Sequence, residues 1–316
     1  MKNKLNALFG FIILMIFITA CAKKDSETKN NNTSQQESVK FVVVGSSGTI
    51  LTSLDGNSWS SENSGTSNLL SDLIYKNGTL ISVGGVFVDN VTTVLKSTNG
   101  KTWTPITTGT TKILYDVTYG MNIYVSSGSY GAIITSSDSS SWTSRSSGTT
   151  NQLHGTEYGN SVFVSVGDGG TIISSSDGIS WVSRTSGTAY YLKGIIYSKS
   201  IFVVTGAGGT ILTSSDGATW NNRNSGTSDS INGITHSNDI FVAVGDSGIV
   251  LTSSDGSSWS SKTSGTSHDL ESIHFGDNTF IVVGDSGTIL SSNDGDSWTS
   301  KNSGTSYDLN GVSFIE

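Results

Sequence analysis

The stretch GAGGTILTSSDGATW, residues 206–220, packs a four-residue glycine turn, a short run rich in β-branched residues, an Asp-Gly turn and a tryptophan into fifteen positions. Near-copies of it end on Trp59, Trp103, Trp142, Trp181, Trp259 and Trp298, so that with Trp220 the spacings are 44 and then five successive 39s. Upstream of the glycine turn each copy carries runs like Leu309 to Phe314 (LNGVSF) and Phe241 to Gly245 (FVAVG). Downstream, a strand led by the tryptophan closes on Ser-Gly-Thr. Four short strands separated by turn residues make one propeller blade, and a fixed period of this length marks a repeat architecture. The prediction is an all-β, seven-bladed β-propeller of four-stranded blades.

The count closes on itself. Residues 39–316 number 278, seven periods of 39 plus five, and the five extra residues fall in the second copy between Gly84 and Thr93. The phase of Glu316 lies one place before that of Val39, so the chain ends should meet in one blade. Leu309 to Ile315 is therefore expected to supply the first strand of the blade whose other three strands come from residues 40–63. Closure of this kind removes the exposed edges that an open array must cap.

Composition agrees. Glycine is frequent (38 residues), proline appears once, and charged residues make up only 13 % of the chain, which suits short strands and tight turns. Residues 39–316 carry 12 Lys and Arg against 22 Asp and Glu, a net charge of −10 that would repel a phosphate backbone. Nucleic acid is not expected as a partner.

The N-terminus reads as a targeting segment. Lys2 and Lys4 precede an apolar run from Leu5 to Ile18 that ends in Ile18-Thr19-Ala20-Cys21, too short to span a bilayer as a permanent helix. Residues 1–20 are expected to be a signal peptide. Residues 21–38 are expected to form a polar, disordered tether, because AKKDSETKNNNTSQQES shows no apolar periodicity. The segment ending at Cys21 resembles the lipobox of bacterial lipoproteins, which implies lipidation of Cys21 with palmitate-type acyl chains; Cys21 is the one cysteine of the chain. Two or three acyl chains anchor stably where one would not. In lipoprotein sorting of enteric bacteria an Asp after the cysteine retains the protein at the inner membrane, so Ala22 leans the expectation toward the outer membrane.

The turns before the tryptophans carry a second resemblance. Ser53 to Trp59 (SLDGNSW), Ser175 to Trp181 (SSDGISW) and Ser214 to Trp220 (SSDGATW) resemble the Asp-box, or bacterial neuraminidase repeat, shortened by one residue between Asp and Trp. Together with the GxxGTILTS lead-in, the pattern is similar to seven-bladed propellers of the photosystem II assembly-factor type and to sialidase-like propellers. The resemblance covers all seven blades, through Asp55 and Trp59, Asn99 and Trp103, Asp138 and Trp142, Asp177 and Trp181, Asp216 and Trp220, Asp255 and Trp259, and Asp294 and Trp298. Asn99 departs from it by replacing Asp, and Ser139 by replacing Gly at a position where a left-handed backbone would be strained. A feature repeated in every blade is read as a structural staple: the carboxylate accepts turn N–H groups while the tryptophan packs between blades.

The same reasoning disposes of several motifs. Gly245 to Gly248 and Gly284 to Gly287 (GDSG) look like the surroundings of a serine-protease nucleophile, but they align with GSSG at 45, GSYG at 128, GDGG at 167 and GAGG at 206. His236 falls in a column of Tyr and Phe, an aromatic packing place, and His154, His268 and His274 show no paired spacing that would mark a zinc site. No metal and no cofactor are expected. Sialidases grip the substrate carboxylate with three arginines from different strands, whereas the three arginines here, Arg145, Arg184 and Arg223, share one column on the expected outermost strand. They cannot converge on a central pocket.

What remains is the surface where the copies differ. Strands alternate direction, so the G-x-x-G turns and the crossovers after Ser-Gly-Thr share one face. The column there runs Ser71, Tyr115, His154, Lys193, Asn232, Glu271 and Asn310. Crossovers add Tyr190, Tyr191, Asp229, His268, Asp269, Tyr307 and Asp308; turns add Tyr130, Asp168, Asp246 and Asp285. The insertion Gly85 to Asp89 brings Phe87 to the same face. Aromatics interleaved with amide, acid and base groups suit a mouth that binds a protein or a polar ligand. The expectation is a monomeric, lipid-anchored, non-catalytic binding or scaffolding module of the cell envelope that takes a protein partner at this face. The alternative is glycan binding, with Tyr115, Tyr190 or Tyr307 stacking on sugar rings. A divergent glycoside hydrolase would need two carboxylates about 5 to 9.5 Å apart, and Glu271 with Asp285 or Asp308 is the pairing to test.

Overall fold

The computed structural model describes residues 38–316 apart from 87, 89 and 90; Cys21, Phe87 and Asp89 thus lie outside the described residues. Seven antiparallel four-stranded sheets follow one another around a ring. Blade 1 combines Leu309–Phe314 as its inner strand with Phe41–Gly45, Ile50–Ser53 and Ser60–Glu62, so the ends of the chain share one sheet as the period requires. Phe41 pairs with Phe314, Val43 with Val312 and Val44 with Gly311, and Ile315 N–H donates to the Lys40 carbonyl at 2.7 Å. Blade 2 spans Leu69–Lys76 to Thr104–Pro105, and blades 3 to 7 begin at Leu114, Leu153, Leu192, Ile231 and Leu270. No α-helix occurs among the described residues; the G-x-x-G turns are single 3-10 turns.

Each G-x-x-G turn places its third residue in the left-handed region, where Ser47 has φ 55° and Tyr130 φ 53°. The last glycine is dictated by contact as well as by angle. A Cβ on Gly209 would stand 2.0 Å from the Thr227 carbonyl oxygen, because the following crossover lies directly on the turn. Side-chain-free backbone is what lets the two loops of that face nest.

The core is divided among the blade interfaces. Seven buried apolar clusters each draw on two neighbouring blades, as where Val164, Val166 and Ile172 of blade 4 meet Leu192, Phe202 and Leu212 of blade 5. Phe41, Phe163, Phe202, Phe241 and Phe280 are the largest fully buried side chains. Burying one such ring stabilises by roughly 1.5–3 kcal/mol. Each tryptophan closes the cluster shared with the preceding blade; Trp220, for example, packs 6.3 Å from Phe202.

The Asp-Gly turns are fastened by their own side chains. Asp216 Oδ1 accepts the Ala218 and Thr219 N–H groups, both at 2.8 Å, while Ser214 Oγ accepts from Gly217 N–H at 2.9 Å. Backbone N–H groups of the turn hold the Asp177 and Asp216 carboxyls down to about 2. Asn99 keeps the geometry with its amide oxygen, accepting from Lys101 and Thr102 N–H at 2.9 Å. Ser139 takes the left-handed φ of 61° that Gly217, at 70°, takes in its own blade. Both departures are absorbed locally.

Candidate functional site

Two faces of the ring can be told apart by the hydrogen bonds between loops. On one, Asn151 Nδ2 donates to Thr171 Oγ1 (2.8 Å), tying a crossover to a G-x-x-G turn. On the other, Asn160 Nδ2 donates to the Ser215 carbonyl (3.1 Å), tying the turn after an inner strand to the Asp-Gly turn of the next blade. The described chain enters on this second face, where Lys40 pairs with Asp277.

On the crossover face the inner strands surround a cavity of about 170 Å³. Its wall includes Ser71, Tyr115, His154, Lys193, Asn232, Glu271 and Asn310, one residue from each blade. The column read from the sequence is thus brought together around a single mouth. Neighbouring members interlock. Lys193 Nζ donates to Asn232 Oδ1 (2.7 Å), and Asn232 Nδ2 donates to Asp246 Oδ1 (2.9 Å) and to the Leu270 carbonyl (3.0 Å). His154 Nε2 lies 2.7 Å from Asp168 Oδ1, and its ring stands 5.2 Å from that of Tyr115, whose hydroxyl bonds Gln152 Oε1 at 2.5 Å. Burial, reinforced by the Asp168 charge, pushes the Tyr115 phenol up to about 12. Asn310 Nδ2 donates to the Leu70 carbonyl at 3.2 Å.

Charge is distributed unevenly around this mouth. Burial pushes the Glu271 carboxyl up to about 7, against the pull of Lys193 and with the help of Asp285, Asp246 and Asp269. Asp285 is raised by burial and by the Asp308 and Asp269 charges beside it. Asp269 and Asp308 each accept a turn N–H of the preceding blade, from Ser247 (2.7 Å) and Ser286 (2.9 Å). The arc of blades 6, 7 and 1 therefore concentrates acid. Exposed tyrosines stand farther out: Tyr190 is 58 % exposed and lies over Gly208, and Tyr307 is 53 % exposed. Tyr130 carries Lys112 Nζ 4.5 Å above its ring. Val88 in the insertion is 88 % exposed.

The arginines do not join this site. Arg184, Arg145 and Arg223 line three separate grooves beside the outer strands. Each donates through Nε to a hydroxyl of its own blade, Ser174, Thr135 or Thr213, at 2.8–3.0 Å. His236 occupies the aromatic column as expected, 4.5 Å from Phe241, yet only half of its polar capacity is met: Nδ1 meets Ser198 Oγ at 2.9 Å and buried Nε2 has no hydrogen-bond partner. Among the described residues no three His, Cys, Asp or Glu side chains gather as a metal site.

Sequence reasoning passed over two further acids of the cavity wall, Asp72 and Asp116, which line it beside Ser71 and Tyr115. A signal was present. Their column reads Asp72, Asp116, Gly155, Gly194, Gly233, Ser272 and Gly311, two carboxyls among positions otherwise nearly bare. Glu157 and His274, on the inner strands of blades 4 and 7, are likewise perturbed by burial, to about 8 and about 4.

No family model matches the chain, and no curated protein matches it. Solved structures do. The chain is similar to YCF48 bound to a D1 peptide, at a TM-score of 0.65 and 17 % identity over 80 % of this chain and 87 % of that one. It is similar to YCF48 from Cyanidioschyzon merolae at 0.62 and 18 % identity, over 81 % and 95 %. The WD40 β-propeller domain of Doa1 follows at 0.59 and 13 %, over 83 % and 86 %. At these identities the fold is what is shared.

Proposed function

We propose that the protein is a non-catalytic binding or scaffolding module, held at the bacterial cell envelope by a lipid on Cys21, that captures a protein partner on its crossover face. One observation carries the reading: seven blades built alike present six kinds of side chain, from Ser71 to Asn310, around one mouth. A fold that repeats its structure and varies its residues at one place is using that place for recognition. Exposed tyrosines around a polar, hydrogen-bonded centre match the composition of protein-binding surfaces. The propeller YCF48 in its complex with a D1 peptide gives a precedent within this fold for peptide capture. Entry of the chain on the opposite face, at Lys40, would leave the mouth accessible while residues 21–38 serve as the tether.

Glycan binding is the second reading, favoured by the exposed rings of Tyr190, Tyr191 and Tyr307. Of the hydrolase pairings, the one through Asp308 is disfavoured because that carboxylate accepts a turn N–H. Affinity capture from envelope extract with residues 39–316, run beside a glycan array, separates the readings. A specific protein retained by the ring supports the first; an array signal without a retained protein replaces it with the second. Anchoring is tested apart from recognition: Cys21→Ser should abolish labelling with radioactive palmitate and move the protein to the aqueous phase of a detergent extraction. Unchanged partitioning would remove the lipid anchor.

A further inference from the structure

The inner strands of blades 2 and 3 differ from the rest at one position. Where other blades carry Gly155, Gly194, Gly233, Ser272 and Gly311, these two carry Asp72 and Asp116. Both side chains reach across a blade boundary. Asp72 Oδ2 accepts the Val117 N–H of blade 3 at 3.1 Å, and Asp116 Oδ2 accepts the Thr156 N–H of blade 4 at 2.6 Å. Asp72 Oδ2 thereby lies against the backbone that carries Asp116, so the two carboxyls are neighbours across the boundary of blades 2 and 3; two carboxylates offer acceptors only, so a bond between them needs one proton. The room is closed on the side of blade 1, where a Cβ on Gly311 would stand 2.9 Å from Asp72 Cα.

We propose that Asp72 and Asp116 form a proton-operated clasp, in which one shared proton ties the inner strands of blades 2, 3 and 4 together beneath the mouth and its release to solvent loosens that arc. With the proton present, the pair is a single negative charge held by two backbone N–H groups and an internal hydrogen bond. Without it, two adjacent carboxylates repel across the boundary between blades 2 and 3. The groups that face the pair do not relieve this. Glu157 of blade 4 adds to the negative potential at Asp116. Tyr115 and His154 line the same cavity beside it, Lys193 and Glu271 line it from blades 5 and 7, and blades 1 and 6 contribute the uncharged Asn310 and Asn232.

Burial pushes Asp72 up to about 6 and, together with the Asp72 charge, Asp116 well above the usual carboxylate range. The sign follows. A carboxyl raised in the fold contributes stability that is fully present below its unfolded value of about 4 and is lost as pH rises through the folded one. Ser71 and Tyr115 immediately precede the two acids, so loosening acts on the wall of the cavity. The clasp stands whether or not the mouth binds a protein.

Hydrogen exchange of the full chain, followed by mass spectrometry and corrected for intrinsic rates, tests it with an internal control. Between about pH 5 and pH 8, peptides covering Val117 and Thr156 should lose about tenfold or more of their protection, because one unit of displaced titration corresponds to a factor of ten. The equivalent peptides of blades 5 and 6, around Ile195 and Ile234, should change far less. Asp72→Asn and Asp116→Asn each supply a fixed N–H in place of the proton and should flatten the response. Glu157→Gln should leave the response at Val117 in place. Equal behaviour of all blades in the unmodified chain overturns the proposal, even where an Asn variant fails to fold. So does a pH response that survives both Asn substitutions.

Discussion

The two faces of the ring obey different rules. On the face of the Asp-Gly turns, every blade solves the same problem in the same way: a Ser hydroxyl and an Asp or Asn side chain satisfy the turn N–H groups, from Asp55 with Asn57 and Ser58 to Asp294 with Asp296 and Ser297. On the crossover face six blades repeat the G-x-x-G turn and blade 2 carries the insertion in its place, and the side chains at equivalent inner-strand positions are Ser, Tyr, His, Lys, Asn, Glu and Asn. Uniformity marks what the fold needs seven times, and variety marks what it needs once.

That contrast can be broken first at the seam. Deleting Leu309 to Glu316 removes the inner strand of blade 1 and takes Leu309, Val312 and Phe314 out of the cluster shared with blade 7. We expect aggregation or loss of cooperative thermal melting. Deleting residues 21–38 should leave the melting curve nearly unchanged, because the four described strands of blade 1 lie outside that segment. A truncated ring that melts like the full one would contradict closure by strand exchange.

A single staple comes next. Trp220→Ala should cost about 3 kcal/mol in chemical denaturation, the low end for a large aromatic because the ring is only partly buried and its indole N–H has no partner. A cost below about 1 kcal/mol would mean that the tryptophans decorate the ring rather than close it.

The turn carboxylates should appear in the acid limb of stability. Asp177 is held down to about 2 by the Ser180 and Ile179 N–H groups. A depressed carboxyl contributes stability present above its unfolded value of about 4 and lost as pH falls through the folded one. Asp177→Asn, which mimics the natural Asn99 turn, should therefore melt with a shallower decline than the unmodified protein between about pH 4 and pH 2. An identical decline would remove the carboxylate from the account of this turn.

Much of this was legible from the period. Tryptophan spacing gave the blade number, the phases of Val39 and Glu316 gave the shared blade, and the column from Ser71 to Asn310 was recognisable because alignment of the copies isolates positions that refuse to repeat. The convergence of Asp72 and Asp116 was not, because a strand sequence does not say how far a short side chain reaches into the next blade. Nor was the unmet Nε2 of His236, which depends on what surrounds an aromatic slot once an imidazole fills it. Contacts within a repeat follow from its sequence; contacts between repeats depend on how closely the blades approach.

The central claim is that recognition belongs to the varied mouth and not to the repeated turns. The most direct measurement is partner capture from envelope extract by two folded variants at matched concentration. One carries His154, Lys193 and Glu271 all changed to Ala, which should leave stability within about 1 kcal/mol because partly solvated polar groups contribute little. The other carries Asp177→Asn. We predict that the triple variant loses capture and the turn variant keeps it; capture intact in the triple variant and lost in folded Asp177→Asn would contradict the account and move recognition to the opposite face.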